Sequence, residues 1–101
     1  MAGKRPRDKG RRTEQELVRT LKAAGIPAKR VPLSGSAEGY PGDVVAEVNG
    51  RSLVLECKAR RQFKTLESWL DGRDAVVLKP DRRAPLVLLR LDDLLALLRD
   101  P

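Results

Sequence analysis

The sequence predicts an α+β fold, within the broad α/β class, in which a central mixed β-sheet is flanked by helices. Two observations support this prediction. Apolar residues recur at helical spacing near both ends of the chain, and runs rich in Val and Leu, each of strand length, lie between them. At 101 residues the chain can build one modest hydrophobic core. We therefore expect a single domain over residues 13–101, preceded by a flexible basic arm over residues 1–12.

The first helix is expected to begin at Thr13 as its N-cap, with Glu16 completing a capping box three residues later, and to end at Gly25. Its apolar stripe consists of Leu17, Val18, Leu21 and Ala24. Glu14 lies three, four and seven positions before the first three of these residues, so it continues the stripe and should point inward. The alternative is that Glu14 is only a favourable charge in the first helical turn.

Five strands are predicted, at residues 28–33, 43–48, 52–58, 75–79 and 86–90. Asn49-Gly50, between the second and third, is the strongest local signal for a hairpin with a two-residue turn. Residues 34–42 form a loop rich in Gly, Pro and Ser, and a short helix is expected over residues 66–70. The chain ends in an amphipathic helix whose apolar positions are Leu91, Leu94, Leu95 and Leu98.

Composition restricts the chemistry that this chain can perform. It contains no histidine and a single cysteine, which excludes an internal disulfide and removes the commonest zinc ligand and the commonest general base. Any hydrolysis must then rely on carboxylates, lysine and hard metal ions. We expect no small-molecule cofactor in so short a chain. We also expect no membrane association, because Arg90, Asp92 and Asp93 interrupt the longest apolar stretch. With no signal peptide visible, a cytoplasmic, nucleoid-associated protein is expected.

The net charge of +7 is concentrated near the N-terminus and indicates a polyanionic partner. The candidate DNA-binding residues are Lys4, Arg5, Arg7, Lys9, Arg11 and Arg12 in the arm, and Arg30, Arg60, Arg61 and Lys64 beside the predicted site. The three aromatic residues are too few for a base-stacking platform, which favours contacts along a duplex backbone. A solvated tail that only improves solubility is the alternative interpretation of the arm.

The hairpin predicts a pair of facing carboxylates. With a two-residue turn, Val48 pairs with Arg51, and counting outward brings Asp43 opposite Glu56. Directly opposed Cβ atoms are about 4.5–5.5 Å apart, so the two charges repel unless a hard divalent cation such as Mg²⁺ binds them. Lys58, two residues after Glu56, shares that face and can contact a scissile phosphate or an attacking water.

Each of these residues also has a purely structural interpretation. Asp43 can be a turn residue after Gly42, and Glu56 with Lys58 can be the polar face of an edge strand. Against this, the apolar run 53–55 leads directly into Glu56, whose strand therefore looks buried on both faces, and a buried carboxylate without a partner is costly. Cys57 should face away from the carboxylates as a buried thiol, although its backbone carbonyl can still coordinate the metal.

The order of these motifs resembles the archaeal-type Holliday junction resolvases of the PD-(D/E)xK nuclease superfamily. The resemblance rests on Lys9-Gly10-x-x-x-Glu14, Arg30, Ser34-Gly35-Ser36, Pro41-Gly42-Asp43 and Glu56-Cys57-Lys58. It implies a restriction-endonuclease-like core and a homodimer that cuts four-way junctions of double-stranded DNA with Mg²⁺ or Mn²⁺. It also implies that Glu14, Asp43, Glu56 and Lys58 match the catalytic motif, the three carboxylates serving as metal ligands, and that Ser34 matches a serine required for cleavage.

Three other functions remain open at this point. The chain can be a nuclease for another branched or nicked DNA, a non-catalytic basic DNA-binding module, or a ribosome-associated or RNA-binding protein. A dimer has separate support in the sequence, since Leu97 lies off the stripe of the last helix and is available to a partner. The alternative is that the leucines of this region only fill the core.

Overall fold

The computed structural model of the chain describes residues 6–31 and 43–99. Contacts divide the chain into two compact units, Met1–Ala59 and Arg60–Pro101. The first unit contains α1 (Pro6–Ala23), β1 (Ala28–Arg30), β2 (Val44–Val48) and β3 (Arg51–Leu55). The second contains α2 (Lys64–Leu70), β4 (Ala75–Leu78), β5 (Leu86–Leu89) and α3 (Leu91–Arg99). This content confirms the α+β class, whereas the division into an arm and one domain over residues 13–101 stays a prediction.

The described strands form two antiparallel sheets where the sequence analysis expects one mixed sheet. The first has the order β1-β2-β3, and the second pairs β4 with β5. Short connections cause this arrangement, because β2 joins β3 and β4 joins β5 without the helical crossover that parallel neighbours need. Helix α1 packs on β1 and β2, and this helix with its three-stranded sheet is consistent with a restriction-endonuclease-like core.

The predicted hairpin is confirmed in both its turn and its register. Asn49 and Gly50 have φ angles of 51° and 77°, the positive values that a type I′ turn requires at both central positions. The ladder runs from Val48↔Arg51 at the turn to Val44↔Leu55 at the far end. This is the register from which the sequence analysis places Asp43 opposite Glu56, one pair beyond Val44↔Leu55.

The predicted N-cap at Thr13, with its capping box, is wrong, because α1 begins at Pro6. Proline suits the first turn of a helix, and the Lys- and Arg-rich segment that follows offsets the cost of Gly10 in the helix interior. The Thr13 hydroxyl donates to the Lys9 carbonyl at 3.0 Å, as a residue inside a helix does, and Glu16 is exposed. Residues 6–12, assigned by the sequence analysis to a flexible arm, are therefore helical, and residues 1–5 lie outside the described residues.

The end of α1 is confirmed at Gly25. Its φ of 84° places it in the left-handed region. The Gly25 N–H donates to the Lys22 carbonyl and the Ile26 N–H to the Leu21 carbonyl, both at 2.9 Å. These two hydrogen bonds define a Schellman motif, which satisfies carbonyls that the helix itself leaves unpaired.

The core of the first unit surrounds β2, the central strand of its sheet. Its most buried side chains are those of Leu21, Val31, Val44, Val45 and Ala46. Because three of these are consecutive residues of β2, both faces of that strand are covered.

Strand β3 differs from the prediction in length and in burial. It ends at Leu55 rather than residue 58, because its partner β2 begins at Val44. The side chains of Leu53 and Val54 are 40% and 48% exposed, so the expectation of a strand buried on both faces is wrong. β3 lies at the edge of the three-stranded sheet, and α1 packs on the other two strands.

In the second unit, Arg90 lies between β5 and α3 and contacts the end of α2 and the start of α3. Its guanidinium donates to the carbonyls of Leu70 and Arg73, each at 2.9 Å, and so supplies donors at the C-terminal end of α2. It also lies 3.7 Å from the carboxylate of Asp93 in the first turn of α3. Leu97 on α3 is 67% exposed, as its position off the stripe predicts. Among the described residues, no helix combines the length and apolarity that crossing a membrane requires.

Two glycine substitutions should have opposite effects on stability. At Gly10 and at Gly25, an added Cβ would meet no heavy atom of the described residues within 4 Å, so the backbone conformation decides the outcome. Gly10→Ala should raise the free energy of unfolding by about 0.5–1 kcal/mol, because Gly10 lies inside α1. Gly25→Ala should lower it by about 1–2 kcal/mol, because alanine is strained at positive φ. Urea denaturation measures both, and two effects of the same sign would contradict the helix boundaries.

Candidate active site

Asp43 lies immediately before β2 and is held from the side of β1. The Val31 N–H donates to the Asp43 carbonyl at 2.8 Å, which extends the β1–β2 pairing by one step. The residue is 8% exposed. A carboxylate this buried is costly to keep ionised unless a cation or hydrogen-bond donors compensate it. The sequence analysis expects Glu56 to be the buried carboxylate that needs a partner, and in the structure this description applies to Asp43 instead.

Glu56 and Lys58 follow the last residue of β3. The Val44↔Leu55 pair is the end of the ladder, so Asp43 and Glu56 occupy the next pair of positions, one step beyond it. The Lys58 ammonium lies 3.4 Å from a Glu56 carboxylate oxygen, so the two charged groups form an ion pair. These side chains are 67% and 66% exposed, so Glu56 is not the buried carboxylate that the sequence suggests.

Glu14 reaches this region from α1. Since the helix begins at Pro6, Glu14 lies well past the first turn, which excludes the alternative of a charge at a helix N-terminus. Its side chain is 13% exposed, in agreement with the predicted inward stripe. The Arg30 Nε–H, at the end of β1, donates to a carboxylate oxygen of Glu14 at 3.0 Å.

The thiol of Cys57 is affected both by burial and by three carboxylates of the first unit. Burial raises the pKa of this thiol, and the negative charges of Glu14, Asp43 and Glu56 raise it further. All three carboxylates are therefore near enough to the sulfur to affect its ionisation. Cys57 lies beyond the end of β3 and is half-buried, and the expectation that it faces away from the carboxylates stays a prediction.

The donor chemistry fits a hard divalent cation better than a soft one. Asp43 and Glu56 offer carboxylate oxygens, and Mg²⁺ is commonly bound by one or two carboxylates with water completing its shell. Within residues 6–31 and 43–99, no three acidic or thiol side chains surround a common point closely enough to hold an ion by themselves. Glu14 and Glu56 are instead paired with Arg30 and Lys58.

The predicted DNA-binding residues lie in both units. In the first unit, Lys9, Arg11 and Arg12 are exposed on α1, and Arg7 belongs to the same helix. In the second unit, Arg60, Arg61 and Lys64 are exposed. Ser34, Lys4 and Arg5 lie outside the described residues.

Sequence reasoning missed the contact of Arg30 with Glu14. The sequence analysis assigns Arg30 to DNA binding, while the structure pairs it with a candidate catalytic carboxylate. A signal was present, since an arginine three residues into a short strand and an inward glutamate on the preceding helix are both unusual in a core. Neither residue alone shows that the two side chains meet.

Helix α1 and the three-stranded sheet are consistent with a restriction-endonuclease-like core, and comparison with known proteins identifies the family. The family model described as archaeal Holliday junction resolvase (hjc) matches residues 5–68. The chain belongs to this family. It is also similar to two proteins named crossover junction endodeoxyribonuclease Hje, from Sulfolobus acidocaldarius and Saccharolobus solfataricus, with 36% identity over 58 residues to each.

The similarity to these relatives is partial. The aligned region is 57% of this chain and covers 42% of the Sulfolobus acidocaldarius protein and 43% of the Saccharolobus solfataricus protein. The chain therefore spans less than half the length of the curated relatives it matches. No solved structure matches the chain significantly.

The ion pair of Arg30 with Glu14 should contribute measurably to stability. Arg30→Gln leaves a largely buried carboxylate without its cation, so the free energy of unfolding should fall by about 1–2 kcal/mol. Adding Glu14→Gln should restore part of this loss, because the uncompensated charge is removed. Glu16→Gln, on the exposed side of the same helix, is the matched control and should stay within about 0.5 kcal/mol. Strictly additive losses in urea denaturation would show that the pair is not coupled.

Proposed function

We propose that this protein is a structure-selective endonuclease that resolves four-way DNA junctions by metal-dependent hydrolysis of phosphodiester bonds, acting as a homodimer. Membership of the resolvase family supports the activity and the substrate. The observation that supports the site is the register of the β2–β3 ladder, because Asp43 and Glu56 occupy the next pair of positions beyond Val44↔Leu55. Two carboxylates at directly opposed positions are unfavourable neighbours unless a cation binds them.

Mg²⁺, or Mn²⁺ in its place, would be held by the carboxylates of Asp43, Glu56 and Glu14 and by the backbone carbonyl of Cys57. A bound ion of this kind lowers the pKa of water and stabilises charge on a phosphoryl oxygen. Arg30 orients the Glu14 carboxylate through the hydrogen bond from its Nε–H. Ser34, by its match to the family motif, is proposed to assist cleavage.

Lys58 supplies the positive charge next to these carboxylates. Its ammonium is largely exposed and lies beside Glu56, so it can leave that partner for an incoming phosphate at small cost. There it would donate to a non-bridging oxygen of the scissile phosphate or orient the attacking water.

Binding of the DNA backbone is assigned to the exposed basic residues. Phosphate contacts by lysine and arginine position a protein on DNA without reading its sequence. Lys9, Arg11 and Arg12 extend from the same helix as Glu14, so contacts along α1 would fix the position of that carboxylate relative to the DNA. This arrangement suits a substrate that is recognised by the path of its backbone.

A homodimer follows from the symmetry of the proposed reaction. One site of this kind cuts one strand, and resolving a junction requires two cuts related by a two-fold axis. A two-fold dimer supplies both sites from one chain. The exposed Leu97 on α3 is an available contact for such a partner.

Removing either facing carboxylate should stop cleavage while preserving binding. Asp43→Asn and Glu56→Gln should each lower the rate of junction cleavage at least about a hundredfold, because a metal ligand is lost. Junction affinity, measured in Ca²⁺ or without metal, should change little. Gel-based cleavage assays with excess Mg²⁺ and with EDTA test the metal requirement.

Glu47→Gln is the matched control for these variants. Glu47 is an exposed carboxylate of β2 that accepts a hydrogen bond from Ser52 and lies away from the site. This variant should cleave at the rate of the unmodified protein. Cleavage that persists in excess EDTA, or in Asp43→Asn, would rule out the proposed chemistry.

Junction selectivity and the dimer can be tested together on synthetic substrates. The protein should bind four-way junctions more tightly than linear duplexes of matched sequence and should cut them faster. The nicks should be paired at symmetric positions. Analytical ultracentrifugation should give a dimer, free or on the junction. A monomer on junction DNA would exclude the symmetric mechanism. Equal nicking of linear duplexes, flaps and junctions would leave a general nuclease and exclude the resolvase.

A further inference from the structure

We propose that Phe63 is a positioning residue for DNA binding, whose ring orients the guanidinium of Arg60 toward a phosphate of the DNA backbone. The inference rests on the proposed function, since it concerns how that substrate is held. It assigns a role to an aromatic residue that contributes neither to the carboxylate site nor to the basic charge.

The central observation is a cation–π contact between Arg60 and Phe63 in the second unit. The Arg60 Cζ atom lies over the ring of Phe63, 5.8 Å from its centroid, within the range of a cation–π contact. Arg60 is exposed, and Phe63 is half-buried. The ion pairs found in residues 6–31 and 43–99 join Arg30 to Glu14, Lys58 to Glu56 and Arg90 to Asp93. In the described part of the chain, the contact that orients Arg60 is thus a ring, and its charge is available to a ligand.

The backbone that carries the ring is held at the start of α2. Phe63 is the N-cap residue of this helix, and no side-chain hydrogen bond caps the helix from it. Its N–H instead donates to a carboxylate oxygen of Glu67 at 2.9 Å, and its carbonyl accepts from the Glu67 N–H at 2.8 Å. Both backbone groups of Phe63 are therefore bound to one residue, which restricts the direction of the aromatic side chain.

An arginine held over a ring remains a phosphate ligand. A contact with the face of a planar guanidinium leaves its five N–H donors free, because they point outward along the edges of the plane. A phosphate can then accept two parallel hydrogen bonds from a group whose freedom is already reduced, which lowers the entropy that binding must remove. A lysine at this position would have the same charge and lack the planar face.

Double-mutant cycles on the full-length chain test the inference. Affinity for a synthetic four-way junction is measured by fluorescence anisotropy without catalytic metal, across a range of salt concentrations. Phe63→Leu, which keeps most of the apolar volume, should weaken binding about two- to fivefold. Arg60→Gln should weaken binding more and reduce the slope of log affinity against log salt by about 0.9, the loss of one phosphate contact. In the Arg60→Gln background, Phe63→Leu should have no further effect.

Arg61 is the matched control, because it is an exposed arginine next in the chain. Phe63→Leu should weaken binding as much in the Arg61→Gln background as in the unmodified protein. Equal effects of Phe63→Leu in the Arg60→Gln and Arg61→Gln backgrounds would overturn the assignment, as would no effect of Phe63→Leu at all. If Phe63→Leu fails to fold, Arg60→Lys tests the pair without altering the ring. It should weaken binding about two- to fivefold, whereas Arg83→Lys, at an exposed arginine outside the candidate DNA-binding set, should not.

Failure of this inference can be distinguished from failure of the proposed function. A single phosphate is present on a linear duplex as well as on a junction, so the coupling of Arg60 to Phe63 should appear on both substrates. A protein that cuts junctions selectively but shows additive variants contradicts only the role of Phe63. A protein that shows the coupling but does not cleave any junction contradicts only the proposed function.

Discussion

The two-residue turn at Asn49-Gly50 determines the chemistry that the first unit can perform. Side chains alternate between the two faces of a strand, so one residue more or fewer in this turn would move every later side chain of β3 to the opposite face. Glu56 would then leave the side on which Asp43 lies. Positive φ at both turn positions favours this register over its neighbours. The relative placement of the two acidic positions is therefore a consequence of turn geometry rather than of any attraction between them.

Apolar packing must offset the electrostatic cost of that placement. The carboxylates of Glu14, Asp43 and Glu56 come from a helix, a strand start and a strand end, and each element contributes to or adjoins the core around β2. Val44, fully buried, follows Asp43 directly, and Val31, also fully buried, donates the hydrogen bond to the Asp43 carbonyl. The most buried carboxylate thus lies where the backbone has least freedom, an arrangement typical of sites that trade stability for function.

The parts of this fold that the sequence predicts are those decided locally. The turn at Asn49-Gly50, the register that follows from it and the end of α1 at Gly25 all depend on backbone preferences of a few adjacent residues. The start of α1 is different, because capping preference at Thr13 competes with good helix formers on its N-terminal side. The exposure of Glu56 also escapes prediction, since it depends on where β3 loses its partner and on which strands α1 covers. The pair of Arg30 with Glu14 requires knowledge of two elements at once.

The early start of α1 changes how its basic residues would act on DNA. A flexible arm loses conformational entropy each time it binds, whereas the backbone of residues on a helix is ordered before binding. At about 1.5 Å of rise per residue, Arg11 and Lys9 lie roughly 4.5 and 7.5 Å along the helix axis from Glu14. The backbone of either residue is therefore at a fixed distance from the backbone of Glu14. Binding through α1 would position the DNA backbone for hydrolysis as well as attract it, and an equally charged but unstructured arm could only do the second.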